Sequence, residues 1–149
     1  MSIYLDYNAT AMLRPEVMAA MQGVAHLPLN PSSIHKFGQK GRSLVENARR
    51  SIAALVGADS NLVIFNSGAT EGNNTVLQYF RSQFPGEQIL VSAIEHPSVS
   101  QAAAGVKLIP VTCDGIIDLS ALEDLLKQGK TSLVSIMLVN NETGVIQPI

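Results

Sequence analysis

Leu62-Val63-Ile64-Phe65 runs directly into Asn66-Ser67-Gly68-Ala69-Thr70-Glu71 and then into Gly72-Asn73-Asn74-Thr75. The four apolar residues predict a buried strand, Gly68 a tight turn, and the segment from Ala69 to about Arg81 a helix whose first turn carries small and hydroxyl side chains. A helix start of this kind leaves backbone N–H groups unpaired at the positive end of the macrodipole. A phosphate can settle there, with the Ser67 and Thr70 hydroxyls as further donors. The pattern is physical but not specific. One glycine with no following Lys-Ser/Thr pair fits neither the nucleotide P-loop nor the dinucleotide fingerprint, and an ordinary N-capped turn would look the same.

Strand and helix alternate downstream of this stretch. Apolar runs predict strands over 88–92, 106–111 and 132–139, and helices fall over 97–104 and 118–128 with Gly129 as a stop. Upstream, Pro15 suits the first position of a helix reaching about His26, with Val17, Met18 and Met21 as its apolar stripe. A polar loop, 30–38, is bounded by Pro31 and Gly38. It leads to a helix over 41–56 that should bury Leu44, Val45, Ala48, Ile52 and Leu55 before Gly57 ends it. The first residues, 3–7, read as extended and packed on the main body, and Asn8-Ala9-Thr10 as a turn. Continuous apolar strands separated by helices predict an α/β fold, a mostly parallel sheet covered by helices on both faces.

At 149 residues and 46% hydrophobic the chain is long enough for one domain with a core. A net charge of -2 with scattered Lys and Arg offers no electrostatic footprint for nucleic acid or an anionic membrane surface. No basic-then-apolar leader and no apolar run approaching ~18 residues is present, so neither secretion nor membrane insertion is indicated. A single cysteine, Cys113, cannot form an internal disulfide and suits a reducing, cytoplasmic compartment. After Asn140-Asn141-Glu142-Thr143-Gly144 no helix returns the chain over the last strand, which is the expectation for part of a larger domain.

In an open parallel sheet, ligands collect beyond the carboxyl ends of the strands. Three loops there have unusual polar content: Ser67-Gly68-Ala69-Thr70, Glu95-His96 ahead of Pro97, and 140–144. Pro97 suits helix position one, so the His96 ring should project from a helix start into the crevice. Asn-Asn-Glu-Thr-Gly is also plain turn chemistry. Other constellations fail. His26, His35 and Cys113 lack metal-ligand spacing, and no metal site is expected. No Gly-x-Ser-x-Gly elbow occurs, and Ser33-x-x-Lys36 lacks its companion motifs. Glu71, Glu95 and Glu142 suit cap or surface roles, and Cys113 a small buried or half-buried place in the sheet region.

Tyr4-Leu-Asp-Tyr-Asn-Ala-Thr10, Asn30-Pro-Ser-Ser, Asn66-Ser-Gly-Ala-Thr-Glu71, Glu95-His96 and Val139-Asn-Asn-Glu-Thr-Gly144 stand in one register. Together they resemble, over essentially the whole chain, the pyridoxal-phosphate-dependent cysteine desulfurases of the class V aminotransferase group. The resemblance implies a homodimeric enzyme of the aminotransferase type I fold. Such an enzyme converts L-cysteine to L-alanine and leaves the sulfur as an enzyme persulfide for a sulfur-acceptor or scaffold protein, in iron–sulfur cluster assembly or thiolation. It implies that Ala69 and Thr70 belong to the phosphate cup, that His96 stacks on the cofactor ring and takes part in proton transfer, and that Asn141 hydrogen-bonds the ring oxygen. The family's Schiff-base lysine, ring-nitrogen aspartate, persulfide cysteine and carboxylate-binding arginine have no counterpart among these residues. Residues 1–149 therefore read as an amino-terminal segment plus part of the cofactor-binding large domain, roughly two-fifths of such an enzyme and inactive alone. A selenocysteine lyase, another class V aminotransferase, or a non-catalytic remnant serving as an interaction module would share the same motifs.

Overall fold

A computed structural model describes residues 3–102 and 105–149, in two compact units, Met1–Phe65 and Asn66–Ile149. The end of the predicted 97–104 helix, at Ala103 and Ala104, lies outside the described residues.

In the first unit, helix α1 spans Pro15–Ala25 with Pro15 at its start, and helix α2 spans Lys36–Val56. Helix α2 begins earlier than the sequence suggests. His35 is its N-cap, with Nδ1 accepting from the Gly38 N–H at 3.3 Å. Gly38 is thus not a loop boundary but a close approach, since a Cβ there would stand 2.1 Å from the Ser33 carbonyl oxygen. Gly57 closes the helix in the left-handed conformation at φ 67°. Tyr4 ties the turn around Asn8 by donating its hydroxyl to the Asp6 and Thr10 carbonyls at 2.7 and 2.9 Å. Ile3 and Leu5 remain exposed and are not packed as the sequence suggests.

Two further expectations for this unit fail. The run 62–65 is no buried strand: Ser60–Leu62 forms a short 3-10 helix, the rest forms no ladder among the described residues, and Ile64 is 83% exposed. A run of apolar residues states a preference for burial, but a strand also needs a neighbour to bond. Here the Val63 carbonyl accepts from the Arg49 guanidinium instead, and that cation lies 5.0 Å over the Phe65 ring. The helical stripes are likewise uncovered. No residue of α1 is buried, and Leu44, Ala48, Ile52 and Leu55 of α2 are exposed. Leu44, Val45 and Ala48 line an open apolar groove of about 430 Å³ with Phe65.

The second unit holds the α/β layers. Its elements are α3 (Ala69–Gln83), β1 (Gln88–Ser92), α4 (Pro97–Ser100), β2 (Lys107–Ile109), α5 (Leu119–Lys127) and β3 (Thr131–Ser135). The three strands form one parallel sheet in the order β2-β1-β3, with Val91 beside both Leu108 and Ser135. Successive side chains of a strand face opposite sides. Ile89 and Val91 pack with Leu77 of α3 and Val99 of α4, whereas Leu90 packs with Ile109, Ile117 and the α5 residues Leu122 and Leu125. Helices therefore cover both faces, as expected. Asp118 caps α5, accepting the Ser120 and Ala121 N–H groups at 3.0 and 3.1 Å. Gln88 closes the other end of α5 by donating to the Leu125 carbonyl at 2.7 Å.

The outer strands are shorter than their apolar runs. Beyond β2 and β3 the chain makes isolated antiparallel bridges, Val111 with Ile117 and Val139 with Ile146. Cys113 lies exposed in the turn between the first pair, not in the sheet, because Thr112 and Gly115 close a hairpin there with a 2.9 Å bond. Among the described residues no helix is long and apolar enough to cross a membrane.

Leu90 is fully buried at the centre of the sheet. Leu90→Ala should lower the unfolding free energy by about 2–5 kcal/mol in a urea titration. A loss under about 1 kcal/mol would mean that this layer is not packed as described.

Candidate functional site

β1 and β3 are neighbours running the same way, so the segments that leave their carboxyl ends, 93–96 and 136–144, emerge on one rim. Helix α3 runs against them. Arg81 and Phe84, near its end, border a cavity with Gly86 and Ile89 at the amino end of β1, whereas Asn73, near its start, shares a cavity wall with Ser135. The first turn of α3 thus stands on the rim where the two loops emerge.

His96 is the N-cap of α4, with Pro97 in the first helical position. Its Nδ1 accepts the Ser98 N–H at 3.1 Å. His96 lines a cleft of about 330 Å³ together with Glu95, Asn140, Asn141, Glu142 and Thr143. His96 and Asn141, singled out separately in the sequence, are therefore walls of one cavity.

Asn140 builds the loop that presents Asn141. It is 8% exposed; its Oδ1 accepts the N–H groups of Glu142 and Thr143 at 3.0 and 2.8 Å and the Thr143 hydroxyl at 3.1 Å. Its amide N–H groups point the other way, donating to the Ile94 carbonyl at 3.1 Å, which binds the two loops together. Ser135 adds a second tie, donating its hydroxyl to Glu95 Oε1 at 3.0 Å. The turn signal of the Asn pair is thus carried by its first member, and the second faces the cleft.

The start of α3 is arranged differently. Gly68, the N-cap, sits at φ 156°, ψ 175°, a region almost reserved for glycine, and brings no capping side chain. Its own N–H donates to Asn66 Oδ1 at 3.0 Å. The first helical bond runs from the Gly72 N–H to the Gly68 carbonyl at 3.2 Å. The N–H groups of Ala69, Thr70 and Glu71 accordingly have no acceptor within the helix, the open helix start that the sequence reading expects. Ser67 does not contribute as expected: it donates both its hydroxyl, at 2.5 Å, and its N–H, at 2.8 Å, to Glu71. Thr70 is exposed, and neither it nor Ala69 lines the cleft of His96. Their connection to it runs through Asn73, one turn on, which donates to the Ser98 hydroxyl at 2.9 Å. The bonds of Asn73 to Ser98 and of Asn140 to Ile94 escape a sequence reading because each joins partners remote in the chain.

Residues 3–149 match the model of the aminotransferase class V family. The chain is 40% identical over 157 residues to a protein named cysteine desulfurase IscS of Dictyoglomus turgidum, covering 99% of this chain and 40% of that protein. It is 42% identical over 158 residues to the protein of that name from Rickettsia typhi, covering 99% of this chain and 38% of the relative. The X-ray structure of a NifS-like protein from Rickettsia africae superposes with a TM-score of 0.88 at 40% identity, over 97% of this chain and 42% of that one. The chain spans about two-fifths of the length of the curated relatives it matches.

Asn140→Ala would strand the N–H groups of Glu142 and Thr143 in a partly buried loop, at a cost of about 1–3 kcal/mol. Denaturant unfolding should show that loss, together with faster amide exchange over 141–144; unchanged exchange there would contradict the assigned role. The Ser67 hydroxyl and then its N–H hold the Glu71 carboxyl below the ordinary carboxylate range. A carboxyl lowered in the folded state stabilises above its unfolded titration and loses that contribution as pH falls through its folded one. The Ser67 amide proton resonance should accordingly stay constant down to the ordinary carboxylate range and move only below it. Movement at or above that range would contradict the contact.

Proposed function

The chain belongs to the aminotransferase class V family, and on that premise we propose that it supplies the amino-terminal segment and part of the cofactor-binding large domain of a pyridoxal-phosphate-dependent cysteine desulfurase. The observation that carries this reading is the shared cleft of His96 and Asn141 at the carboxyl ends of parallel strands, with the open start of α3 on the same rim.

The residues present fit that cofactor by their chemistry. A phosphate dianion needs several donors, and the free N–H groups at the start of α3 with the Thr70 hydroxyl supply them without a lysine or arginine. The small side chain of Ala69 leaves the backbone accessible. A flat aromatic ring accepts an imidazole against its face, the part of His96, and a ring oxygen accepts an amide N–H, the part of Asn141. When bound, pyridoxal phosphate supplies the electron sink that this amino-acid chemistry requires. His96 holds or moves a proton beside it. L-Cysteine is the substrate on this reading and the sulfur leaves as a persulfide for an acceptor or scaffold protein. The lysine and cysteine those steps require belong to a carboxyl-terminal portion, and the assembled enzyme is a cytoplasmic homodimer.

Residues 1–149 incubated alone with pyridoxal phosphate and L-cysteine should release no alanine. Joined to a carboxyl-terminal portion bearing the family's lysine and cysteine, they should release it, and His96→Ala should lower kcat about 10²–10⁴-fold. Turnover by residues 1–149 alone, or a joined enzyme indifferent to His96→Ala, would contradict the proposal.

A further inference from the structure

His96 is held at one ring nitrogen, Nδ1. Its Nδ1 receives the Ser98 N–H at 3.1 Å and stands 2.8 Å from the Ser98 hydroxyl oxygen. A backbone amide only donates, so the nitrogen that receives it carries a lone pair and no proton. The Ser98 hydroxyl, facing the same lone pair, therefore donates too, and its oxygen is left to accept. Asn73 provides what it accepts, an amide N–H arriving from α3 at 2.9 Å. Every bond in the run thus has one direction, from Asn73 through Ser98 into the imidazole.

We propose that Asn73 and Ser98 are positioning residues that hold His96 as its Nε2–H tautomer, so that a molecule in the cleft meets an N–H donor at the outer ring nitrogen. In an imidazole the proton on one nitrogen is set by the bond that the other makes. Flipping the ring would put a carbon where Nδ1 receives its donors and give up both bonds, so orientation is fixed along with tautomer. The group the ring edge selects is an acceptor: an anionic oxygen or a thiolate, not an ammonium. Asn73 follows Thr70 by three residues and shares its helix face, so its bond to Ser98 ties the helix that carries the open end to the loop that carries the ring. This inference rests on the reading of His96 as a residue of the cofactor site, and it adds which nitrogen keeps the proton at the ring edge while the ring face meets the cofactor.

The test is ¹⁵N NMR of the ¹⁵N-histidine-labelled protein, with no cofactor added, at about pH 8, above the ordinary imidazole range. Loss of a signal in His96→Gln identifies the ring. In the wild type Nδ1 should resonate as an unprotonated, pyridine-type nitrogen and Nε2 as a protonated, pyrrole-type one. Ser98→Ala removes the hydroxyl donor, and Asn73→Asp draws the Ser98 proton to a carboxylate. Both should shift the two nitrogens part of the way toward the average of the tautomers, the Ser98 N–H still donating to Nδ1, whereas Ser98→Thr, which keeps the hydroxyl, should leave the wild-type pattern. A pyrrole-type Nδ1 in the wild type, unmoved shifts in Ser98→Ala or Asn73→Asp, or a Ser98→Thr ring that behaves like Ser98→Ala would overturn the proposal. No cofactor takes part, so such a result leaves the cofactor reading standing. Equally, failure to bind pyridoxal phosphate by a protein with the expected ring signals would count against that reading alone.

Discussion

β1 is bonded along both edges by strands running in its own direction, and that alignment decides where chemistry can occur. Parallel neighbours bring their carboxyl ends to the same side, so the loop carrying His96 and the loop carrying Asn141 must leave together. An antiparallel β3 would send them to opposite ends of the sheet. The alignment is enforced by burial. Leu90 and Val91 face opposite layers and neither is exposed to solvent, so a one-residue slip would exchange the two sets of packing partners. Crossover helices follow from the same constraint, because a parallel strand is reached only by returning the chain over one face.

The rim so formed carries carboxylates, Glu95 and Glu142 in the cleft wall and Glu71 in the first turn of α3, and among the described residues no lysine or arginine lines the cleft. The ion pairs among the described residues, Arg49 with Glu46 and Lys127 with Glu123 and Asp124, lie on α2 and α5, and those of Lys127 are so exposed that they contribute little. What the rim offers instead is directional: N–H groups at a helix start, an imidazole edge, and a carboxamide. Asn140 and Ser98 matter in this setting because they fix the groups that would touch a ligand, each using its hydrogen bonds inward. Glu71 takes up the Ser67 hydroxyl in the same manner and leaves the backbone N–H groups as the donors at the start of α3.

The alternation from Gln88 to Ser135 was legible in the sequence because local pattern and tertiary surroundings agree there. Three successive apolar residues in β1, Ile89, Leu90 and Val91, meet apolar layers above and below. The same kind of run at 62–65 misleads, since a ladder depends on a neighbour that hydrophobicity does not specify. The stripe of Leu44, Val45 and Ala48 tells which side of α2 is apolar and is silent on what covers it. Gly38 looks like loop punctuation and instead lets α2 approach the Ser33 carbonyl. At the site, Thr70, His96 and Asn141 stand out through turn chemistry, Pro97 and family resemblance. The bond of Asn73 to Ser98, across 25 residues of chain, and that of Asn140 to Ile94, across 46, become visible only in three dimensions.

Whether the start of α3, the imidazole and the Asn141 loop serve one small molecule is decided most directly by a crystal structure of the protein grown with pyridoxal phosphate. The account predicts the phosphate on the backbone N–H groups of Ala69 and Thr70, the ring against the His96 imidazole, and its ring oxygen beside the Asn141 amide. A molecule bound elsewhere, such as at Arg81 on the far end of the sheet, or one reached by only one of these three loops, would contradict it.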